Sequence, residues 1–434
     1  MNDMNIDIHH VTRVEGHGNI YVNVKKGIVE KCEWQVPEAP RFFEAMVLGR
    51  QWNELHHVTS RICGICSIGH TLASLKATEA AMGITISDQD LKLRKLALHG
   101  ENMQSHVLHL GFLVLPDLLG VGSVIPLASS NPQEVKTLLR LHRLANEMSN
   151  LLCGRTTHPQ RLIPGGFSKI PSMKELVTLR KKLQAAIPDL QAVAKLVKAL
   201  AGKLPNFTRE TEYIALTSPD EYALYDGQLA STDTGKAPVN EYLSFTNEYV
   251  VPRSTAKWTK HNRESYMVGA LARFNLNYDK FSPWTKQVAD MFGFKPVCYN
   301  PFMNSVAQLV ETVHSVEDCI KIIGELENDG LKTQPDYFKP EIKVKAGRGV
   351  GAVEVPRGIL FHDYTYNSKG VCTKANCVIP TNQNHANIDL DMKALVPTLL
   401  NKSQKEVELA CEMLVRAYDP CISCSTHYAT VHFV

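Results

Sequence analysis

The sequence predicts a mainly α, α+β fold: a long-helix bundle core with small β regions near the N-terminus and in the C-terminal third, the two ends of the chain meeting on it. Three observations predict this. The middle of the chain carries apolar patterns of helical period, both flanks carry short alternating runs of β-branched residues, and no repeat or low-complexity linker divides the 434 residues. One domain over 1–434 is expected. Within it, 1–60 reads as β-rich, 61–204 as a helical core, 205–300 as an irregular or β-containing insertion, and 301–434 as helical and β with a cysteine-bearing tail.

Residues 5–36 alternate polar and apolar side chains, which predicts a short antiparallel meander turning near Lys25–Gly27. After Cys63 the spacing turns helical and runs to Gly83, a residue suited to a C-cap. Helices are predicted over 88–115 and 133–152. A longer amphipathic, Lys-rich helix is predicted over 172–204, broken at Pro188. Residues 205–265 are aromatic, polar and turn-rich. A helix over 304–326, strands within 340–380 and a final helix over 398–418 follow.

The formal net charge is +3 and no cluster of five or more basic residues occurs, so nucleic-acid binding has no electrostatic footprint. The most apolar stretch, 110–128, contains Pro116, Asp117 and Pro126, which predicts buried helix and loop rather than a membrane span. The opening MNDMNIDIHH has neither a basic nor an apolar leader pattern, so a cytoplasmic protein is expected. Eleven cysteines, an odd number without a leader, argue against a disulfide framework and for metal binding or buried thiols.

Two Cys-x-x-Cys pairs stand out: Cys63 with Cys66, and Cys421 with Cys424. A tight turn or helix start brings both sulfurs of such a pair to one side, and helix amides together with nearby Arg61 favour thiolates. Four thiolates suit a soft metal. A structural Cys₄ zinc site is one alternative, but zinc ribbons hold their pairs within tens of residues, whereas more than three hundred separate these. A thioredoxin-like redox pair is another, and it lacks its βαβ context here.

The surrounding residues add a resemblance. Arg-x-Cys-Gly-x-Cys-x-x-x-His at 61–70 and Asp-Pro-Cys-x-x-Cys-x-x-His at 419–427 resemble the two signature motifs of nickel–iron hydrogenase large subunits. Arg13-Val-Glu-Gly-His17, Arg41-Phe-Phe-Glu44, Gly154-Arg-Thr-Thr-His158-Pro159 with Pro164-Gly-Gly166, Glu354-Val-Pro-Arg357-Gly358 and Val378-Ile-Pro380-Thr381 resemble further motifs of that family, and the chain looks most like its soluble, cytoplasmic, multi-subunit members.

The resemblance implies reversible cleavage of dihydrogen to two protons and two electrons. It implies that Cys63, Cys66, Cys421 and Cys424 hold nickel, with Cys66 and Cys424 bridging to an iron that carries carbon monoxide and cyanide. Arg357 would lie over the open metal face, oriented by Asp419. Pro356, Pro380 and Thr381 would line the diatomic-ligand side, Thr381 donating to a cyanide. Glu15 would accept the proton passed on from Cys424 or Cys421, although in its local sequence an ion pair with Arg13 is the plainer reading. Glu44, His427 and the carbonyl of Cys377 would hold magnesium. His70 and His106 would support the thiolates and the iron side, or else be satisfied core histidines. Ser105 stands where many relatives have an aspartate beside the arginine, so the arginine's carboxylate support would rest on Asp419.

The other seven cysteines form no Cys-x₂-Cys-x₂-Cys run, so an iron–sulfur small subunit is required to remove electrons, with further electron-transfer subunits beyond it. A maturation protease and nickel-insertion factors are implied, the protease cutting after His427. Two alternatives stay open on sequence grounds: a non-catalytic scaffold subunit related to respiratory complex I, whose members lack the nickel cysteines, and a zinc-stabilised structural protein.

Overall fold

The computed structural model describes residues 3–337 and 339–427; the segment after His427, with its expected cleavage, lies outside the described residues. The N-terminal meander forms an antiparallel sheet of Met4–Ile8, Asn19–Lys25 and Ile28–Gln35, with Ile6, Val22 and Cys32 in register and buried on one face. The turn falls at Lys26–Gly27, both at positive φ.

The helical body follows the sequence periodicities. Ser67–Met82 is buried on nearly every side and ends at Gly83 in the left-handed region. Asp88–Leu108 starts at Ser87, whose hydroxyl accepts the N–H of Asp90. The helix expected to run on to 115 instead widens into a π-turn over His109–Val114, followed by Leu115–Leu119. Pro116 has no N–H to return to residue 112, and the register opens ahead of it. Pro132–Cys153 packs across Asp88–Leu108. The expected break at Pro188 is real: Met173–Ala185 stops and Ile187–Leu200 begins, with Pro188 in its first turn.

A four-stranded sheet of Gly235–Ala237, Gln228–Ser231, Glu212–Thr217 and Tyr266–Met267 lies within 205–300, but Ala270–Asn277 and Pro283–Asp290 in the same stretch are helices. Asn304–Asp329 is the longest helix and packs on Asp88–Leu108.

The C-terminal third holds an antiparallel sheet of Gly347–Val355, Gly358–Tyr366 and Cys372–Val378. Its first strand lies directly on Ser67–Met82. A Cβ at Gly349 would come 2.1 Å from the carbonyl oxygen of Ala77, and one at Gly351 equally close to that of Ala73. Only glycine lets this strand and helix approach so closely. Val355 pairs with Gly358, so Pro356 and Arg357 form a two-residue hairpin turn. Pro380–Leu395 is a buried helix that periodicity does not announce, and the final expected helix resolves into Gln404–Ala417 with a Ser403–Glu406 capping box. Among the described residues no helix is long and apolar enough to cross a membrane.

Candidate active site

The two cysteine pairs come together. Cys63 Sγ lies 3.4 Å from Cys421 Sγ, Cys421 Sγ lies 2.7 Å from Cys424 Sγ, and the sulfurs of Cys63, Cys421 and Cys424 all lie within 4.8 Å of one another. Cys66 joins through its neighbours: its N–H donates to Cys63 Sγ at 3.1 Å and its own sulfur accepts from Arg357 Nη1 at 3.3 Å. All four are buried and undisulfided. Among the described residues no other three Cys, His, Asp or Glu side chains converge this way.

Each arm is placed by its own segment. Cys63 follows a 3₁₀ turn, Ser60–Ile62, and its sulfur also accepts the N–H of Ile65; Cys66 opens the helix Ser67–Met82. Cys421 bridges to Glu15 as an isolated β-pair, and Cys424 sits inside the short helix Ile422–Ser425. Arg41 ties the two arms: its guanidinium donates to the carbonyls of Ile62 and Arg61, and its own N–H donates to that of Thr426.

The four thiols share their protons unequally. Hydrogen bonds from Cys421, Cys424 and Cys66 hold the Cys63 thiol well below its ordinary range. Cys66 is pushed well up by its bond to Cys63 and by burial, Cys421 by its bonds to Cys424 and Cys63, and Cys424 by burial. One thiolate is thus stabilised at the expense of three thiols. A bound soft dication lets all four ionise, so the donor set fits a nickel-type centre.

Arg357 is buried beside the sulfurs. Nη2 donates to Asp419 Oδ1 at 2.9 Å, Nη1 to Ser105 Oγ at 3.2 Å, and Nε has no partner. Burial opposes its charge, but Asp419 and the cysteine sulfurs hold the guanidinium protonated. Asp419 is itself held by Gln308 Nε2 on Oδ2 at 3.0 Å. Thr381 Oγ1 accepts the N–H of Cys421, which leaves its own hydroxyl hydrogen free to donate. Pro380 is the first residue of the helix carrying Thr381, and the Pro356 carbonyl accepts from Arg273.

Glu15 does not pair with Arg13, whose guanidinium goes instead to Asp117 and the Leu113 carbonyl. Its carboxylate accepts the Ser423 amide at 3.2 Å and the Ser423 hydroxyl, and its carbonyl accepts the Ile422 amide. Glu44 Oε1 accepts the Cys377 N–H at 2.9 Å, and His427, lowered by burial with Glu44 opposing, bonds the Cys424 carbonyl. His70 is lowered to about 4 by burial and lies 3.1 Å from His362, which bonds Tyr364. His106 turns to Glu311 at 2.8 Å rather than to a sulfur. Ser423, Gln308, His362 and Glu101, whose carboxylate accepts the Ile68 and Gly69 amides, are not singled out by the sequence. Ser423 lies inside a motif and could have been. The other three are placed by contacts across the fold that no local pattern encodes.

The description "Nickel-dependent hydrogenase" matches residues 41–136 and 220–427, and "HoxL-like" matches residues 5–39. The alpha chain of sulfhydrogenase 1 from Pyrococcus furiosus is 31% identical over 426 residues, 97% of each chain. A vhu-type F420-non-reducing hydrogenase chain from Methanocaldococcus jannaschii is 30% identical, covering 87% of this chain and 95% of that one. A solved NAD+-reducing [NiFe]-hydrogenase in the H2-reduced state superposes with a TM-score of 0.86 at 26% identity, over 98% of this chain and all of the other. The [NiFeSe]-hydrogenase of Dm. baculatum shares the fold at a TM-score of 0.75. The chain belongs to the nickel-dependent hydrogenase family, as a catalytic large subunit that converts dihydrogen with nickel and iron.

Proposed function

We propose that Cys63, Cys66, Cys421 and Cys424 would hold the nickel, and that Cys66 and Cys424 would also hold an iron that would carry carbon monoxide and cyanide ligands. The observation that carries this is the 3.4 Å approach of Cys63 Sγ to Cys421 Sγ across the length of the chain. When bound, the metal pair supplies the site at which dihydrogen is polarised and two electrons are stored. The chain's own residues do the rest.

Arg357 presents a fixed, charged donor beside the sulfurs, and its clamp by Asp419 and Ser105 removes the reorganisation that a mobile donor would require. Thr381 and the prolines 356 and 380 would shape the other side, the Thr381 hydroxyl being placed to donate to a diatomic ligand there. The proton released from dihydrogen passes to Sγ of Cys424 or Cys421 and then to the Glu15 carboxylate, which the Ser423 amide and hydroxyl hold against the Cys424 segment. Glu44, His427 and the Cys377 carbonyl hold magnesium, a hard cation suited to oxygen and imidazole donors; the Glu44 bond to the Cys377 backbone supports this grouping. His70 orients the thiolate side through its link to His362.

Electrons leave through an iron–sulfur small subunit, then through further electron-transfer subunits, since among the described residues no second ligand cluster exists to carry them. One relative, from Archaeoglobus profundus, is named as an iron–sulfur subunit of an F420-non-reducing hydrogenase. The exposed apolar side chains Phe42, Met46 and Leu48, beside Arg41 and Glu44, offer a surface for such a partner. A maturation protease and nickel-insertion factors complete the centre, in the cytoplasm. Elemental analysis with infrared spectroscopy tests the reading. Nickel and iron with bands of metal-bound carbon monoxide and cyanide are expected; zinc alone, or no metal in an active preparation, overturns it.

A further inference from the structure

The helix Ser67–Met82 begins right after Cys66, yet it has no cap of its own: Cys66 makes no side-chain cap bond and the first turn holds no acidic residue. Such a start leaves amide N–H groups pointing out of the helix end. Here another helix takes them up. Glu101, on Asp88–Leu108, is fully buried, and its Oε2 accepts the N–H of Ile68 at 2.6 Å. The N–H of Gly69 is shared between Oε1 at 3.0 Å and Oε2 at 3.1 Å. Because Oε2 reaches both amides, the cap holds whether the carboxyl is ionised or carries a proton on Oε1.

Gly69 makes the approach possible. A Cβ there would meet Val355 Cγ1 at 2.1 Å and Glu101 Oε1 at 2.8 Å. Val355 ends the strand that runs into the Pro356–Arg357 turn. One junction therefore joins the helix that Cys66 opens, the carboxyl that caps it and the strand that leads into Arg357, whose Nη1 stands 3.3 Å from Cys66 Sγ.

We propose that Glu101, seated by Gly69, is a positioning residue for the metal centre: by capping the helix that follows Cys66 it fixes the Cys66 sulfur against the Arg357 guanidinium. The proposal rests on the four-cysteine reading above and adds to it a residue that touches neither metal nor substrate.

Three variants of the metal-loaded complex test it. Glu101→Gln keeps a carbonyl oxygen for both amides, Glu101→Asp withdraws the carboxyl by one methylene, and Glu101→Leu fills the space with nothing to accept. The readouts are nickel per chain, the g values of the nickel electron paramagnetic signal, and hydrogen exchange at the Ile68 and Gly69 amides. Glu101→Leu is expected to speed exchange at these amides about tenfold or more, shift the g values and lower nickel occupancy. Glu101→Asp moves the same way by less, and Glu101→Gln stays with the parent. Should Glu101→Leu not fold, Glu101→Asp carries the test. Unchanged g values in the nickel-bearing fraction of the Leu and Asp variants, with only the melting temperature lowered, overturn the proposal, as does a Gln variant displaced as far as the Leu one. A parent protein without nickel instead overturns the reading beneath it.

Discussion

The two cysteine arms reach one spot by opposite means. Cys63 lies just ahead of, and Cys66 opens, a sixteen-residue helix that is buried nearly all round, lies on a glycine-faced strand, and is capped by Glu101. Cys421 precedes, and Cys424 sits in, a four-residue helix, Ile422–Ser425, that has no independent stability at that length. It is held by groups from elsewhere: Glu15 on the Ile422 and Ser423 amides, Thr381 on the Cys421 amide, Asn382 on the Ser425 carbonyl and His385 on the Ser425 hydroxyl. The first arm is part of the core, and the second is a closure laid onto it. A metal site built this way has one half set by folding and the other completed by docking.

The largest expected effect touches both halves. Cys63→Ala and Cys421→Ala should each abolish dihydrogen uptake and nickel retention, as read by activity assay and elemental analysis, since three thiolates leave the centre open. The comparison sharpens the pair. Cys63 Sγ also accepts the Ile65 and Cys66 amides, so its loss should raise exchange at those residues, whereas loss of Cys421 should leave the first arm as protected as before. Equal loosening of residues 63–70 in both variants would break the distinction.

Arg357 spans the gap, donating to Cys66 on one arm and to Asp419 beside the other. Arg357→Lys retains charge but loses the planar fork. Turnover is expected to fall about 10²–10³-fold, the scale of a removed transition-state donor, with nickel content kept. A parallel loss of nickel would show that the arginine holds the arms together rather than serving the reaction. Glu15→Gln comes next. Turnover in both directions should drop about 10²-fold or more as the proton acceptor is lost, while the nickel spectrum stays as in the parent.

Legibility in the sequence divides along the same line. The meander at 4–35 announces itself by burying alternate residues, and the helix 67–82, though buried on nearly every side, by its run of helix-forming residues and its stop at Gly83. The four cysteines are legible as two spaced pairs. Pro380–Leu395 is not, because Asn382, Gln383, Asn384, His385 and Asn387 are all buried and bonded to other segments, so no polar face exists to reveal a period. The π-turn at 109–114 and the later start of the last expected helix are likewise decided by packing and by Pro116 and Ser403. Asp419 could be read from its motif, but its left-handed backbone, φ 50°, and its bond to Gln308 could not.

The core also holds a buried ion network: Arg273 donates to Glu311 through Nε and Nη2 and to Glu354 through Nη1. Burial pushes Glu354 up to about 7, against Arg273, which lowers it. With the folded value above the ordinary 4.5, the folded state binds this proton more tightly. The stabilisation is complete below about pH 4.5 and is lost as pH rises through about 7. Glu311 runs the other way: burial opposes it, but Arg273 and His106 hold it far down, so its stabilisation is present above its ordinary range and is lost only in strong acid. Glu354→Gln should therefore flatten the fall of the unfolding free energy, read by denaturant titration, between about pH 4.5 and about pH 7, by on the order of 3 kcal/mol at most. An unchanged slope would assign that pH dependence to other groups.

The smallest expected effect is the most direct test of the contrast. Asn382 Nδ2 donates to the Ser425 carbonyl at 2.8 Å and to the Lys257 carbonyl at 2.9 Å, one of four side chains that seat the closing helix. Asn382→Ala leaves a buried carbonyl unpaired, at about 1–3 kcal/mol. In a segment with its own core that cost would be spread through the cooperative unit and would lower the global midpoint. In a docked closure it appears locally, as faster amide exchange over 421–426 with residues 63–82 unaffected and the global midpoint nearly unmoved. Nickel should then dissociate faster, because the half of the cradle that opens is the half that folding alone does not hold. If instead both arms exchange faster together, the two form one unit and the closure is as much a part of the core as the helix it meets.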